Sequence, residues 1–423
     1  MKKLKIILVL ISIFFLTNVI NAQELYKIEK LCNEKALNDA CLYVGYSYLF
    51  GKNVKKNKVK AVNFYSKSCN NRSSIGCSIL GTNYYTGEIL LQNYNKYIYY
   101  YTKACDYNDS DACIDLAEEY CSGKNIKKDP SKAMEFYTKA CDLNNSHGCY
   151  ELGYLYMKEN NSTKNLLEAE KYFTKGCEFK DDKCCLLVGL LNMDNSGLTK
   201  NMEKAKKFYT KACDLNNSLG CLKLGKIYAN TQYQKMSIVQ SLNYLRLACD
   251  LNNSEGCMYA GVLYGLGEEI RLDYNLSKEY LEKACQLNNK ESCFSLGNIY
   301  DKLKEYKKSF NSYKVLCKDN YADACYNLAN QYYYGRGIQQ DYQKAITLYK
   351  KAEKLGQPKG VLTIGSMYYN GLGVDKNVTK AIELFKKCCD NNISMGCDAL
   401  EKIQRESLKE NSKTKNNVQT KTR

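Results

Sequence analysis

The stretch Asp129-Pro-Ser-Lys-Ala133-Met-Glu-Phe136-Tyr137-Thr-Lys-Ala-Cys141-Asp-Leu-Asn-Asn-Ser-His-Gly-Cys149-Tyr-Glu-Leu152-Gly153-Tyr-Leu-Tyr156 decides the fold. Asp129 reads as a helix N-cap, its carboxylate accepting first-turn N–H groups, and Pro130 follows where a missing N–H costs nothing. Ala133, Phe136 and Tyr137 then fall at three- and four-residue spacing, one apolar helical stripe. Past Cys141 the chain reads Asp-Leu-Asn-Asn-Ser, a polar turn. Cys149 opens a second helix carrying Leu152, Gly153 and Tyr156.

This unit recurs along the 423-residue chain. Cys69, Cys105, Cys141, Cys177, Cys213, Cys249 and Cys285 are each 36 apart, Cys317 follows after 32, and Cys389 after a further 72. A second series stands eight residues behind: Cys77, Cys113, Cys149, Cys185, Cys221, Cys257, Cys293, Cys325 and Cys397. Cys32 and Cys41 open the chain, and Glu353 and Val361 fill the one gap. Twelve residues before each first cysteine stand Asn57, Asn93, Asp129, Asn165, Asn201, Ser237, Asp273, Glu305, Asp341 and Asn377, N-caps in all but Glu305. Eight before it the residues are small, as Ala61, Ala205 and Ser277, except at Tyr97. Four after the second cysteine every unit carries Gly or Ala, and seven after it nine of ten carry Tyr, from Tyr48 to Tyr368. Glycine inside a helix costs roughly 1 kcal/mol against alanine, so an all-small column implies a packing reason. The tyrosines read as core residues with a polar tip.

The fold class that follows is all-α, an αα-hairpin solenoid of about 36 residues per repeat. A leading helix occupies 23–40, ten repeats 41–396, a closing helix 397–408, and 409–423 forms a basic, disordered tail. Glu401 stands in the glycine column of the closing helix, as suits a helix with no successor.

Tyr332-Tyr-Tyr-Gly-Arg-Gly-Ile, Asp341-Tyr-Gln-Lys-Ala345 and Tyr349-Lys-Lys-Ala352, with Tyr369-Asn-Gly-Leu-Gly-Val and Lys380-Ala381, closely resemble the Sel-like repeat, a relative of the tetratricopeptide repeat. Cysteines separated by seven residues in nearly every unit look like the Helicobacter cysteine-rich protein family, often classed as β-lactamases or penicillin-binding proteins. That resemblance, and nothing else here, implies weak β-lactam hydrolysis. Ser412 and Lys415 form a Ser-x-x-Lys pair in the basic tail, without Lys-Thr-Gly or Ser-Asp-Asn beside it. A single histidine, His147, is too few for a zinc β-lactamase and gives no thiol a natural base.

Residues 1–22 read as a secretory signal: Lys2, Lys3 and Lys5, an apolar run Ile6 to Leu16 too short to span a bilayer, and cleavage after Ala22. The expected locale is periplasmic or secreted, with no membrane insertion after cleavage. Exported cysteines become disulfides, and adjacent helix ends suit one bridge each, whereas tetrahedral zinc needs four converging ligands. The expected pairs are Cys32–Cys41, Cys69–Cys77, Cys105–Cys113, Cys141–Cys149, Cys177–Cys185, Cys213–Cys221, Cys249–Cys257, Cys285–Cys293, Cys317–Cys325 and Cys389–Cys397. Cys184 and Cys388 replace small packed residues and read as buried thiols. Cys121 lies one place after Tyr120, on another face.

The net charge of +17 falls to +14 without the three signal lysines. No basic cluster interleaves with aromatics, so nucleic acid is not expected. No cofactor or metal is expected, and the protein reads as a monomer. Solenoids offer extended concave faces to peptides. Tyr43, Tyr46, Tyr154, Tyr259 and Tyr334 are placed on the solvent side of the first helix of the unit, as amphipathic anchors. The expected function is a scaffold binding a peptide-like or peptidoglycan-derived ligand or a protein partner. Finally, the turns at Asn144, Asn216 and Asn252 have the form acidic-x-Asn-x-Ser, similar to an extended bacterial glycosylation sequon, and are the expected acceptors. Asn and Ser are also what polar turns use.

Overall fold

The computed structural model describes residues 22–159, 162–193, 200–229, 236–267 and 270–419; the expected signal before Ala22 lies outside them. Among the described residues there are 22 helices and no strand. They fall into two compact units, up to Gly220 and from Cys221. The first holds α1 (Ala22–Lys35), α2 (Asn38–Phe50), α3 (Lys58–Asn70), α4 (Ser74–Thr86), α5 (Tyr94–Asp106), α6 (Ser110–Ser122), α7 (Pro130–Asp142), α8 (Ser146–Glu159), α9 (Thr163–Glu178), α10 (Asp182–Leu191) and α11 (Met202–Asp214). The chain passes into the second along α12 (Ser218–Ala229). There follow α13 (Met236–Asp250), α14 (Ser254–Leu266), α15 (Tyr274–Gln286), α16 (Lys290–Lys302), α17 (Tyr306–Lys318), α18 (Ala322–Tyr334), α19 (Tyr342–Lys354), α20 (Lys359–Asn370), α21 (Val378–Asp390) and α22 (Ser394–Gln419). Within each unit, even-numbered helices open a repeat and odd-numbered ones close it, as stacked antiparallel pairs.

The junction between repeats repeats one device. At the end of α7, Asn144 takes φ +62°; its N–H donates to Cys141 O, and the Asn145 N–H donates to Ala140 O. This pairing closes the helix with a left-handed residue, a position asparagine tolerates better than other side-chain-bearing residues. Asn145 then caps α8, accepting from the Gly148 N–H. One residue ends a helix and the next begins another. Ser73, Asp109, Asp181, Asn217, Asn253 and Asn289 cap in the same way. The opening helices therefore start three residues before the second cysteine, not at it as the spacing alone suggested.

The closing helices are capped as expected at Asn57, Asn93, Asp129, Asn201, Asp273, Asp341 and Asn377. Two expected caps are corrected. Ser162 caps α9, which starts early enough to place Asn165 inside it, and Ser237 lies inside α13. Glu305 makes no cap bond and instead pairs with Lys278 (3.4 Å) and Lys308 (2.6 Å). The leading helix ends at Lys35, and α22 runs on to Gln419, past the expected boundary at 408. No Gly or Pro follows Gly396 to stop it.

The packing reason for the small column is a large side chain from the next helix, a ring in most repeats and Leu245 or Leu281 at Gly225 and Gly261. A Cβ on Gly45 would lie 2.7 Å from the Tyr65 ring, on Gly153 2.6 Å from Phe173, on Gly297 2.6 Å from Tyr313, and on Gly365 2.7 Å from Phe385. Tyr65, Phe173 and Tyr313 are buried. The tyrosine column stacks nearly parallel on the following helix: Tyr48 on Phe64, Tyr84 on Tyr100, Tyr120 on Phe136 and Tyr264 on Tyr280, at 5.6–5.9 Å between centroids. Lys60, Lys96 and Lys132 lie over those tyrosines, 4.8–5.2 Å from the ring centres. Neighbouring closing helices are tied by ion pairs, Lys139 to Asp106 (3.2 Å) and Lys175 to Asp142 (2.7 Å). Exposed pairs of this kind add at most about 1 kcal/mol each.

Bonded sulfurs join Cys32–Cys41, Cys69–Cys77, Cys105–Cys113, Cys141–Cys149 and Cys177–Cys185 in the first unit. In the second they join Cys249–Cys257, Cys285–Cys293, Cys317–Cys325 and Cys389–Cys397. Cys213 and Cys221 are also disulfide-bonded. Each bridge closes a short loop, a constraint of about 2–3 kcal/mol.

Cys184 shows how closely the junction packs. Elsewhere a glycine faces an alanine: a Cβ on Gly148 would meet the Ala140 Cβ at 2.7 Å, and one on Gly256 the Ala248 Cβ at 2.7 Å. Where Cys184 replaces that glycine, Gly176 replaces the alanine, and a Cβ on Gly176 would lie 2.5 Å from the Cys184 Sγ. The volume has moved across the contact. Gly176→Ala alone should therefore destabilise by about 1–3 kcal/mol through overpacking. Adding Cys184→Gly rebuilds the Ala140–Gly148 arrangement and should restore most of the loss in thermal melts; strictly additive losses would refute the swap.

The ninth junction keeps the backbone device but not the bridge. Gly356 takes φ +96°, its N–H reaches Glu353 O, and Gln357 N–H reaches Ala352 O. Pro358 precedes α20 without a side-chain cap bond. Amide exchange should be faster across residues 350–362 than across the cysteine-closed turn at 317–325. Equal protection in the two turns would contradict this.

Candidate functional site

The five tyrosines chosen as solvent-side anchors do not form one site. Tyr43 is corrected outright: it is 3 % exposed, buried in the core that includes Leu25 of α1. Its register equivalent Tyr259 is 36 % exposed. Tyr46 is half-buried, its ring 4.8 Å from that of Phe50. Tyr154 is exposed, stacked on Tyr150 and covered by Lys158 at 4.8 Å. Tyr259 stands under Lys226, which pairs with Glu255 at 2.5 Å. Only Tyr334 borders a polar cavity.

That cavity lies in the second unit, about 400 Å³ in volume, among α16, α17 and α18. Asn298, Asp301 and Lys302 face it from α16, at positions i, i+3 and i+4, and Asn327, Asn330, Gln331 and Tyr334 from α18, at i, i+3, i+4 and i+7. Each set is one helical stripe. Buried Tyr313 donates its hydroxyl to Asn298 Oδ1 (2.6 Å), and Asn327 Nδ2 donates to the same oxygen (3.0 Å). Tyr349 donates likewise to Asn330 Oδ1 (2.6 Å). Burial pushes the Tyr313 hydroxyl up to about 12 and raises Tyr349 as well, so both phenols keep their protons and act as donors at neutral pH. The two carboxamides thus spend their oxygens inward, and their Nδ2 groups donate to no protein acceptor among the described residues.

Gln331 is 3 % exposed and forms the floor. Its Nε2 donates to Asp301 Oδ1 (2.9 Å) and Ser309 Oγ (3.2 Å), while its Oε1 has no partner. A buried orphan acceptor costs about 1–3 kcal/mol, an expense normally tolerated only where something else is served. Arg336 closes one side, its guanidinium 4.9 Å from the Tyr334 ring centre, 5.7 Å from that of Tyr306, and 3.6 Å from Asp301 Oδ2. Lys302 is exposed and makes no ion pair among the described residues. Sequence reasoning missed this cavity although its signal was present. Asn298 and Asn330 stand five residues after Cys293 and Cys325, the column that holds Tyr46 and Tyr154 after Cys41 and Cys149.

The remaining reactive groups are not poised for chemistry. Cys184 and Cys388 are buried, Cys121 is half-buried, and burial raises all three thiols away from the thiolate. His147 is half exposed, with Nε2 3.7 Å from Glu118 Oε1, and that neighbouring carboxylate raises its pKa. Among the described residues no three His, Cys, Asp or Glu side chains gather as a metal site, and no helix is long and apolar enough to cross a membrane. The side chains of Ser412 and Lys415 lie outside the described residues. Asn144, Asn216 and Asn252, the expected glycan acceptors, are exposed and are the left-handed residues of their turns, at φ 61–63°.

The Sel1 repeat matches residues 38–73, 74–109, 110–145, 146–178, 183–217, 218–253, 254–289, 322–357 and 364–393, each full match starting with the opening helix. A tetratricopeptide repeat matches residues 290–314, the shortened unit. No curated protein matches. Among solved structures, a protective antigen of uropathogenic Escherichia coli displaying an SLR fold is 21 % identical, covering 90 % of each chain with a TM-score of 0.56. Cysteine-rich protein B of Helicobacter pylori is 27 % identical over 39 % of this chain and 97 % of its own, with a TM-score of 0.19. With nine repeats matched over most of its length, the chain belongs to the Sel1 repeat family.

Proposed function

We propose that this protein is an exported, disulfide-stapled scaffold that holds an extended peptide segment of a partner on the opening helices of its repeats. Sel1-type arrays are built for protein–protein contact rather than for chemistry, since stacked helices offer a long surface and little enclosed volume. One observation carries the reading: the cavity between α16 and α18 is lined by Asn298 and Asn330, whose oxygens are already bonded and whose N–H groups remain to be used. Such groups match the carbonyls of an extended main chain, which carries no side-chain identity of its own. Tyr334 and the stacked Arg336 supply amphipathic edges where side chains would rest. Export is supported by the disulfides, which persist only in oxidising compartments, and peptidoglycan stem peptides share the amide chemistry of a protein segment. The β-lactamase alternative gains no support, because the free thiols are disfavoured as thiolates and the lone histidine contacts none of them.

The test is a peptide-display selection on purified residues 23–423. Selected peptides should bind at least about tenfold more weakly to Asn298→Ala and Asn330→Ala, a loss of about 1.4 kcal/mol or more, with helicity and thermal melts unchanged. Peptides that bind both variants as well as the parent would refute the site.

A further inference from the structure

We infer that Asn108, Asn144, Asn216, Asn252 and Asn392 are acceptors of an N-linked glycan, transferred to the extended chain before the junctions close. Each stands between an acidic residue two places before it and a serine two places after: Asp106 and Ser110, Asp142 and Ser146, Asp214 and Ser218, Asp250 and Ser254, Asp390 and Ser394. The turn does not require this triplet. Its left-handed position is held elsewhere by Arg72 and Lys180, both at φ 62°. Two further junctions have asparagine there, Asn288 and Asn320, and both lack the acid and the serine: Gln286 and Lys290 flank the one, Lys318 and Ala322 the other. Nor is the serine a cap, since Asn145, Asn217 and Asn253 cap their helices from the preceding place. The acid has a structural partner at two junctions, Lys139 on Asp106 and Lys175 on Asp142. Acid, asparagine and serine therefore come as a set that capping and turn geometry do not demand. The five asparagines are exposed, at φ 59–66°, and their side chains make no hydrogen bond to another described residue. The neighbouring cap Asn145, in contrast, gives its Nδ2 to Ser110 and Asp111, and Asn217 gives its own to Asp182. A bulky, solvated substituent on the five breaks no contact of the fold. Side chains at alternate positions face one side only in an extended segment. In the closed junction Asp142 ends α7, Ser146 begins α8 and the Cys141–Cys149 bridge spans both, so an enzyme that reads the triplet meets it on the open chain. The co-reactant is a lipid-diphosphate-linked oligosaccharide. The asparagine Nδ2 bonds to the sugar C1 as the C1–O bond to the diphosphate breaks; the diphosphate leaves with the electron pair, and the Nδ2 proton is released to base. These sites are independent of the peptide-binding reading.

Protein isolated from its source organism should exceed its polypeptide mass by multiples of one oligosaccharide, with the modified peptides mapping to these five asparagines. An unmodified mass would overturn the assignment, and glycans at Asn288 or Asn320 to the same extent would overturn the role of the acid and the serine. A purified bacterial oligosaccharyltransferase with its lipid-diphosphate donor tests the timing, in a reaction that also modifies a short Asp-x-Asn-x-Ser control peptide. The reduced and alkylated chain should be modified at least about tenfold faster than the oxidised one, since only locally opened molecules of the latter present the extended form. Equal rates would overturn modification before closure. In the reduced chain Ser146→Ala should abolish transfer to Asn144 alone, and Ser146→Thr should keep it. Asn144 still modified in Ser146→Ala would contradict the triplet reading.

Discussion

The structure depends on a reversal of direction made in three residues. At each junction a closing helix ends in a left-handed residue; at most of them the following residue caps the next helix, and a small pair such as Ala140 and Gly148 lets the two backbones meet. The disulfide is the covalent form of that proximity, since Cα atoms brought to 4.6 Å at Cys141 and Cys149 leave room for a bridge and little else. The helices themselves are short, mostly 13 residues, and such lengths are marginal alone in water. They persist because each is held at its end and packs against its neighbour, in most repeats a ring or a Leu side chain laid on a glycine of the partner.

Much of this was legible because the constraints are periodic. The cysteine spacing, the small column and the tyrosine column each report one fixed contact, and a contact repeated in every unit cannot be hidden by the scatter of a single site. The junction was harder to read. Asn144 and Asn145 look alike as turn residues, yet one carries a positive φ and the other accepts a hydrogen bond, so the opening helix starts three residues early. Tyr43 was misread for a different reason: burial varies along its column, from 3 % exposed at Tyr43 and Ile79 to 36 % at Tyr259.

The candidate site was illegible for the opposite reason, since it is an exception to the period. Asn298 and Asn330 occupy a column that elsewhere holds Tyr, Thr, Glu, Leu, Lys, Val or Ser, and no spacing argument values a residue that differs from its equivalents. Its meaning appears only when two adjacent helices align their exceptions around one cavity, with Tyr313 and Tyr349 beneath to turn both carboxamides the same way. A repeat scaffold can change its ligand in this manner without touching the contacts that hold it together, because core and binding face use different columns.

The central claim is that every junction except the one at Glu353 and Val361 is closed by its own cysteine pair, so that register and cross-link are one constraint. Peptide mapping of the protein under non-reducing conditions tests it most directly. The account predicts that every disulfide-linked fragment pair joins cysteines eight residues apart, or nine for Cys32–Cys41, with Cys121, Cys184 and Cys388 recovered as alkylated thiols after denaturation. Fragments joining cysteines of different junctions, or Cys184 bonded in place of Cys185, would contradict it.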